Sequence, residues 1–113
     1  MVTAECWLVS AGRVLASAER ADDRRSRARG LLGRPGFEGA LVLSKCRSVH
    51  TIGMQFAIDV AYLDADGVVL KVAHMHRNRI GMPVRKATTV VEAQAGAFGR
   101  WGLKVGDQVE LRE

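Results

Sequence analysis

Aromatic side chains are scarce in this 113-residue chain, at 5% of the total. None is interleaved with the basic clusters described below, which argues against the stacking platforms of single-strand nucleic-acid binders. The two cysteines, Cys6 and Cys46, are too few for a disulfide framework. A single bridge stays open to them, and two reduced thiols fit a cytosolic protein better. No run approaches the roughly 18 apolar residues of a membrane span. The opening MVTAECWLVS has neither the basic leader nor the apolar core of a signal peptide. Without repeats, linkers or low-complexity segments, residues 1–113 read as one cytoplasmic domain with no membrane partner.

What is present is ordinary in amount. Hydrophobic residues make up 48% and charged residues 26%, enough for a single core without disulfides or metal. The formal net charge of +5 favours an anionic partner and fixes no fold. Abundant arginine supplies that charge through composition alone, so a solvated basic surface is the plainer reading.

The chain is organised around residues 46–73, CRSVHTIGMQFAIDVAYLDADGVVLKVA. Residues 57–64 alternate, with Ile58, Val60 and Tyr62 on one side and Asp59, Ala61 and Leu63 on the other. Residues 68–74 alternate too, Val68, Leu70, Val72 and His74 opposing Val69, Lys71 and Ala73. Between them lies Asp66-Gly67, the strongest short-range signal for an antiparallel hairpin, because glycine takes the positive φ the turn demands.

Elsewhere the signals are shorter. Strands are expected at residues 6–9, 13–17, 40–43 and 86–93, and after a Gly106-Asp107 turn through Val109 and Leu111. Asp22 reads as the N-cap of a helix running to about Leu32, with Ala21, Ala28, Leu31 and Leu32 inward and Gly33 as its C-cap. Gly30 weakens that helix, which suggests that another segment packs closely there. Residues 95–101 suit one helical turn carrying Phe98, and residues 44–55 and 76–83 are irregular.

The hairpin, GLLGR at residues 30–34, VVEAQAG at 90–96 and LKVGDQV at 103–109 come in an order that resembles the bacterial and archaeal family catalogued as domain of unknown function 192. The match runs over nearly the whole chain. It implies a small α+β domain, a mostly antiparallel, barrel-like sheet with one main α-helix. It implies no activity, cofactor or catalytic residue. Many members carry a tryptophan–methionine–lysine–asparagine–threonine run before the hairpin, where this chain has His50-Thr51-Ile52-Gly53-Met54. A site lined by that run has different chemistry here.

Several residues are candidates for chemistry. His74 and His76 leave a strand end on the same face, and His50 lies four residues after Cys46. Antiparallel pairing would gather imidazoles and a thiolate of the kind zinc prefers; sheet-end histidines in contact with water are the plainer reading. Cys46 and His50 have the makings of a nucleophile pair, although a buried structural thiol is commoner. Asp59 and Glu92 fall inside apolar strands, where an ionised group is costly unless paired. They suit acid–base work, or more simply accept backbone N–H bonds or pair with an arginine such as Arg47.

Two basic clusters stand apart in sequence. Arg24, Arg25, Arg27, Arg29 and Arg34 belong to the helix and its exit, while Arg77, Arg79, Arg85 and Lys86 belong to the long loop. Joined, they would attract phosphates. Within the loop, Arg77, Asn78 and Arg79 offer donors to a carboxylate or phosphate.

The favoured reading is a non-enzymatic binding or accessory domain for an anionic small molecule or protein segment. Its candidate ligand-binding residues are His50, His74, His76, Arg47, Arg77, Asn78, Arg79 and Asp59, with no cofactor. Two other classes stay open: metal-dependent hydrolysis by the three histidines, and nucleic-acid binding through the arginine helix.

Overall fold

The structure, a computed structural model, describes residues 6–113. Its elements run β1 (Cys6–Ser10), β2 (Arg13–Ala21), α1 (Arg24–Arg29), β3 (Ala40–Ser44), β4 (Ile58–Leu63), β5 (Val69–Met75), β6 (Thr89–Gln94), α2 (Ala97–Trp101) and β7 (Val109–Arg112). The strands form one sheet in the order β5-β4-β6-β3-β2-β1-β7. Every pairing is antiparallel except β2 with β3. Parallel strands need a crossover, and residues 22–39, which include α1, supply it.

The expected hairpin is present as β4 and β5, with Ile58 opposite Met75 and Asp59 opposite His74. Asp64 closes its turn, Oδ1 accepting from the N–H groups of Asp66 and Val68 at 2.9 Å each. Alternation sorts the central strands between two cores. Ala61, Leu63, Val91, Ala93 and Val42 enter one cluster, to which all seven strands contribute. Ile58, Val60, Tyr62, Val90, Leu41 and Leu43 enter a second cluster on the opposite face. The strict alternation expected for residues 68–74 breaks: Tyr62 pairs with Lys71 but Leu63 with Val69, so Leu70 is an extra residue in a bulge.

The expected main helix is a correction. α1 spans six residues, buries none of them and is capped by Asp23, whose Oδ1 accepts from Ser26 N–H at 2.7 Å. Asp22 instead takes the Ser44 hydroxyl at 3.1 Å. The helix stops at Gly30, whose φ of 50° and ψ of −128° turn the chain so that Leu31 is buried. With no apolar stripe of its own, the helix gains nothing from running on to Leu32. β2 is longer than expected because Ala18 and Ala21 continue it against β3. β6 begins at Thr89, after a turn in which Lys86 takes a φ of 71°.

Among the described residues the outer strands β5 and β7 share no ladder, and a bridge between Val68 and Gln108 links their ends. Val69 N–H donates to Asp107 O at 2.8 Å and Val109 N–H to Gly67 O at 2.9 Å. That link stops short of a closed barrel. Gly67 has a φ of 81°, and a Cβ on it would collide with the Val109 carbonyl. Replacing Gly67 by alanine should therefore cost on the order of 2–3 kcal/mol, read as a lowered urea midpoint; a change within experimental error would show that the edge link contributes nothing.

Candidate functional site

Among the described residues no helix covers the second apolar face. The chain segments on either side of β3, residues 31–37 and 46–56, and residues 84–87 lie over it, placing Leu31, Val49, Met54 and Ala87 in the second cluster with Phe37, Phe56 and Val84 packed against it. An irregular cover has no ladder to satisfy its backbone groups, so side chains must do so.

Thr51 is the main fastening, at 0% exposure. Its Oγ1 donates to His76 O at 2.6 Å and accepts from Arg79 N–H at 2.9 Å. Its backbone N–H donates to Arg79 O at 2.7 Å, and its carbonyl accepts from Asn78 N–H at 2.9 Å. Asn78 Oδ1 returns the tie by accepting from Gly53 N–H at 2.9 Å. His50 bridges Ile80, Gly81 N–H donates to Val49 O, and Val84 N–H donates to Arg47 O. The two irregular segments are thus zipped together, and the 76–83 loop braces the segment before the hairpin.

Beneath this cover lies a cleft of about 250 Å³. Its floor is Glu92 with the buried Leu31, Leu43, Val49 and Met54; its mouth carries Arg27, Arg29, Lys45 and His50. Glu92 stands on β6 opposite Leu41 and Val60. It is 4% exposed, and among the described residues its Oε1 is the only buried side-chain N or O atom without a hydrogen-bond partner. Burial pushes its carboxyl up to about 7. A Cβ on Gly30 would sit 3.2 Å from that oxygen, so the close packing expected at Gly30 is its backbone passing over Glu92.

Cys46 also lines the cleft, with Sγ donating to Ser48 O at 3.3 Å. Burial raises its thiol, Glu92 adds to that, and the Ser48 bond and Arg27 pull it down less. Burial, aided by Cys46 and Glu92, likewise raises the Tyr62 phenol. A thiol held protonated is a poor nucleophile, which argues against a Cys46–His50 nucleophile pair.

The other expected residues lie elsewhere. His74 stands opposite Asp59, Nδ1 to Oδ1 at 3.2 Å, and its ring meets that of His76 edge-on at 5.0 Å. Asp59 Oδ2 accepts from Gly96 N–H at 3.0 Å and Phe98 N–H at 3.1 Å, fixing α2 to the sheet. Alternation puts Asp59 on the Ala61 face and Glu92 on the Val90 face. His50, at the mouth of the cleft, is therefore separated by the sheet from His74. Among the described residues no group of three or more His, Cys, Asp or Glu is placed to hold a metal ion.

Arg47 is exposed and not part of the cleft lining. His76, Arg77, Asn78 and Arg79 line a separate shallow depression with Ala57. Arg34 is held by Glu19 through two bonds of 3.1 and 3.2 Å and lies over the Phe37 ring. From sequence Lys45 is missed altogether, while Arg27, Arg29 and Glu92 stand out only as a basic helix and a strand carboxylate, not as the lining of one cleft. The available signal was a glutamate within VVEAQ with no cation at pairing distance along the strand.

The chain matches the DUF192 family (Uncharacterized ACR) over residues 7–111. The chain belongs to that family. No curated protein matches it. A crystal structure of a protein of unknown function from Novosphingobium aromaticivorans is similar at a TM-score of 0.76 and 18% identity, covering 96% of this chain and 84% of that one. A putative transcription regulator from Sinorhizobium meliloti is similar at a TM-score of 0.77 and 21% identity, covering 94% and 91%. At these identities the likeness to the two structures is one of fold. No helix among the described residues is long and apolar enough to cross a membrane.

Two outcomes are expected. Thr51→Val leaves Arg79 N–H and His76 O unsatisfied and should lower stability by about 1–3 kcal/mol, with Thr51→Ser restoring most of it; equal stability of both variants by urea unfolding would contradict the fastening. Because Glu92 is raised from 4.5 to about 7, the native state binds a proton that the unfolded chain has released. Stability should therefore fall as pH rises from 4.5 towards 7 and then level, by about 3 kcal/mol in all. Glu92→Gln should lack that component, so its stability relative to the unsubstituted protein should rise by a similar amount between pH 4.5 and 8. Parallel pH profiles would assign the proton elsewhere.

Proposed function

We propose that this DUF192 domain is a non-enzymatic binding module whose cleft over Glu92 takes a compact organic anion. One observation carries the reading: a glutamate with a buried, unpartnered carboxyl oxygen lines a cleft whose mouth is basic. Leaving a buried polar group unpaired costs about 1–3 kcal/mol, and such groups in folded proteins call for an explanation. A ligand that hydrogen-bonds to Glu92 supplies one.

Size and lining narrow the ligand. A cleft of about 250 Å³ lies below the roughly 300–1,000 Å³ of drug-sized pockets, which favours a small molecule over a protein segment. Leu31, Leu43, Val49 and Met54 suit a short hydrocarbon body, and Arg27, Arg29 and Lys45 suit its charge. The Arg77–Arg79 surface is a subsidiary docking point, since Asn78 Oδ1 is engaged with Gly53 and Arg79 Nη1 with two backbone carbonyls.

The competing classes find less support. Hydrolysis by the three histidines would need His50 and His74 on one face. Nucleic-acid binding would need the two arginine clusters joined, yet Arg27 and Arg29 line one cleft and Arg77 and Arg79 another. The Sinorhizobium protein's description as a putative transcription regulator is a statement about that protein.

Butyrate, benzoate and sulfate titrated into the protein under NMR observation test the reading. At least one should bind saturably with shifts centred on residues 27–32 and 45–54. Replacing Arg27 and Arg29 together by alanine should weaken it about tenfold, the worth of a charged hydrogen bond, without unfolding the domain. Saturable binding by none of the three, or binding indifferent to both arginines, would sink the proposal.

A further inference from the structure

Building on the anion reading of the cleft, we infer that the site takes up an oxyanion together with one proton, Glu92 acting as the carboxylic-acid donor to the bound ligand. The geometry sets the roles. Glu92 reaches the cleft from below, between Leu41 of β3 and Val60 of β4, and the Gly30 backbone passes over it without a side chain in the way. The titratable or charged groups around it are Arg27 and Arg29 from α1, Lys45, Cys46 and His50 from the segment after β3, and Tyr62 from β4. Among the described residues no cation forms an ion pair with Glu92, whose Oε1 has no partner at all, and burial raises its carboxyl.

An ionised carboxylate offers acceptors only and repels an anion at contact. Protonated, Glu92 has an O–H to give, and O–H···O⁻ is the short, strong class of hydrogen bond. Binding is then written in balance: ionised Glu92, one proton from solvent and the ligand anion give neutral Glu92 donating to the ligand. Only the proton on Glu92 changes hands: for a monoanion such as butyrate the charge of the site is unchanged, and for sulfate it becomes more negative by one. Arg29, whose side chain makes no hydrogen bond or ion pair among the described residues, supplies counter-charge at the mouth. Arg27 supplies more, with one N–H already given to the Asp22 carbonyl. An amine would require the reverse, an ionised Glu92 and a released proton, and would have to pass the arginines to reach it. The chemistry shared by a carboxylate and a sulfate or phosphate ester is the oxyanion, and the two probes below separate the planar from the tetrahedral form.

The test is calorimetric titration of the intact protein with butyrate and with sulfate, neither of which titrates between pH 6 and 8. Runs in two buffers of different ionisation heat count the protons. With Glu92 at about 7, binding should take up about half a proton at pH 7 and weaken about tenfold from pH 6 to pH 8. Glu92→Gln keeps a donor without a titrating proton, so its affinity should be flat with pH and its uptake nil. His50→Gln should retain the uptake. Binding without proton uptake, uptake that survives Glu92→Gln, or uptake lost with His50 would overturn the inference while leaving the anion site standing. So would tighter binding of ethylammonium with proton release, which would also reverse the sign of the ligand. Saturable binding by neither anion would remove the anion reading beneath it.

Discussion

The β3–β6–β4 ladder is apolar on both faces, and the rest of the chain is arranged to cover it twice. All six residues of β4 are buried, and apolar surface left open to water would cost about 25 cal/mol for each Å². One face is covered by the sheet itself, whose seven strands converge on a single cluster. The other face has no helix long enough to cover it, so loops are laid across it. A loop cover must solve two problems that a helix does not: it has to satisfy its own backbone polar groups, and it has to pack evenly from irregular pieces. Thr51 and Asn78 solve the first. The second is solved incompletely, and the gap is the cleft over Glu92.

How much of this can be read from sequence depends on how local each signal is. The hairpin is legible because Asp-Gly and a period of two act over a few residues, and the assignment of Ile58, Val60 and Tyr62 to one face holds residue by residue. The bulge at Leu70 is not legible, because it is set by pairing with β4 rather than by its own neighbours. Nor is the parallel contact of β2 with β3, which depends on the crossover. The helix is overestimated because Leu31 and Leu32 have helical spacing from Ala28, yet Gly30 turns the chain first. For the histidines, the shared face of His74 and His76 follows from their spacing. The face occupied by His50 depends on where its loop lies, and that loop places it at the mouth of the cleft.

The two strand carboxylates show where sequence reasoning stops and packing takes over. Asp59 and Glu92 occupy adjacent strands, each among apolar residues, and composition alone treats them alike. What lies over each one separates them. Asp59 meets two N–H groups of the turn into α2 and an imidazole, so both its oxygens are satisfied and its role is to hold α2. Glu92 meets the bare backbone of Gly30 and aliphatic side chains, so it is raised towards neutrality instead. If only the core mattered at position 92, an aliphatic residue would remove the cost of an unpaired oxygen and fill the same space. Position 30 calls for glycine on backbone grounds alone, because its φ of 50° and ψ of −128° strain any residue that carries a side chain. The same residue leaves room for the carboxyl, since a Cβ there would sit 3.2 Å from Oε1. Gly30 is thus accounted for by the turn it makes, whereas Glu92 keeps a buried oxygen that no neighbour among the described residues satisfies, and the anion reading of the cleft rests on that asymmetry.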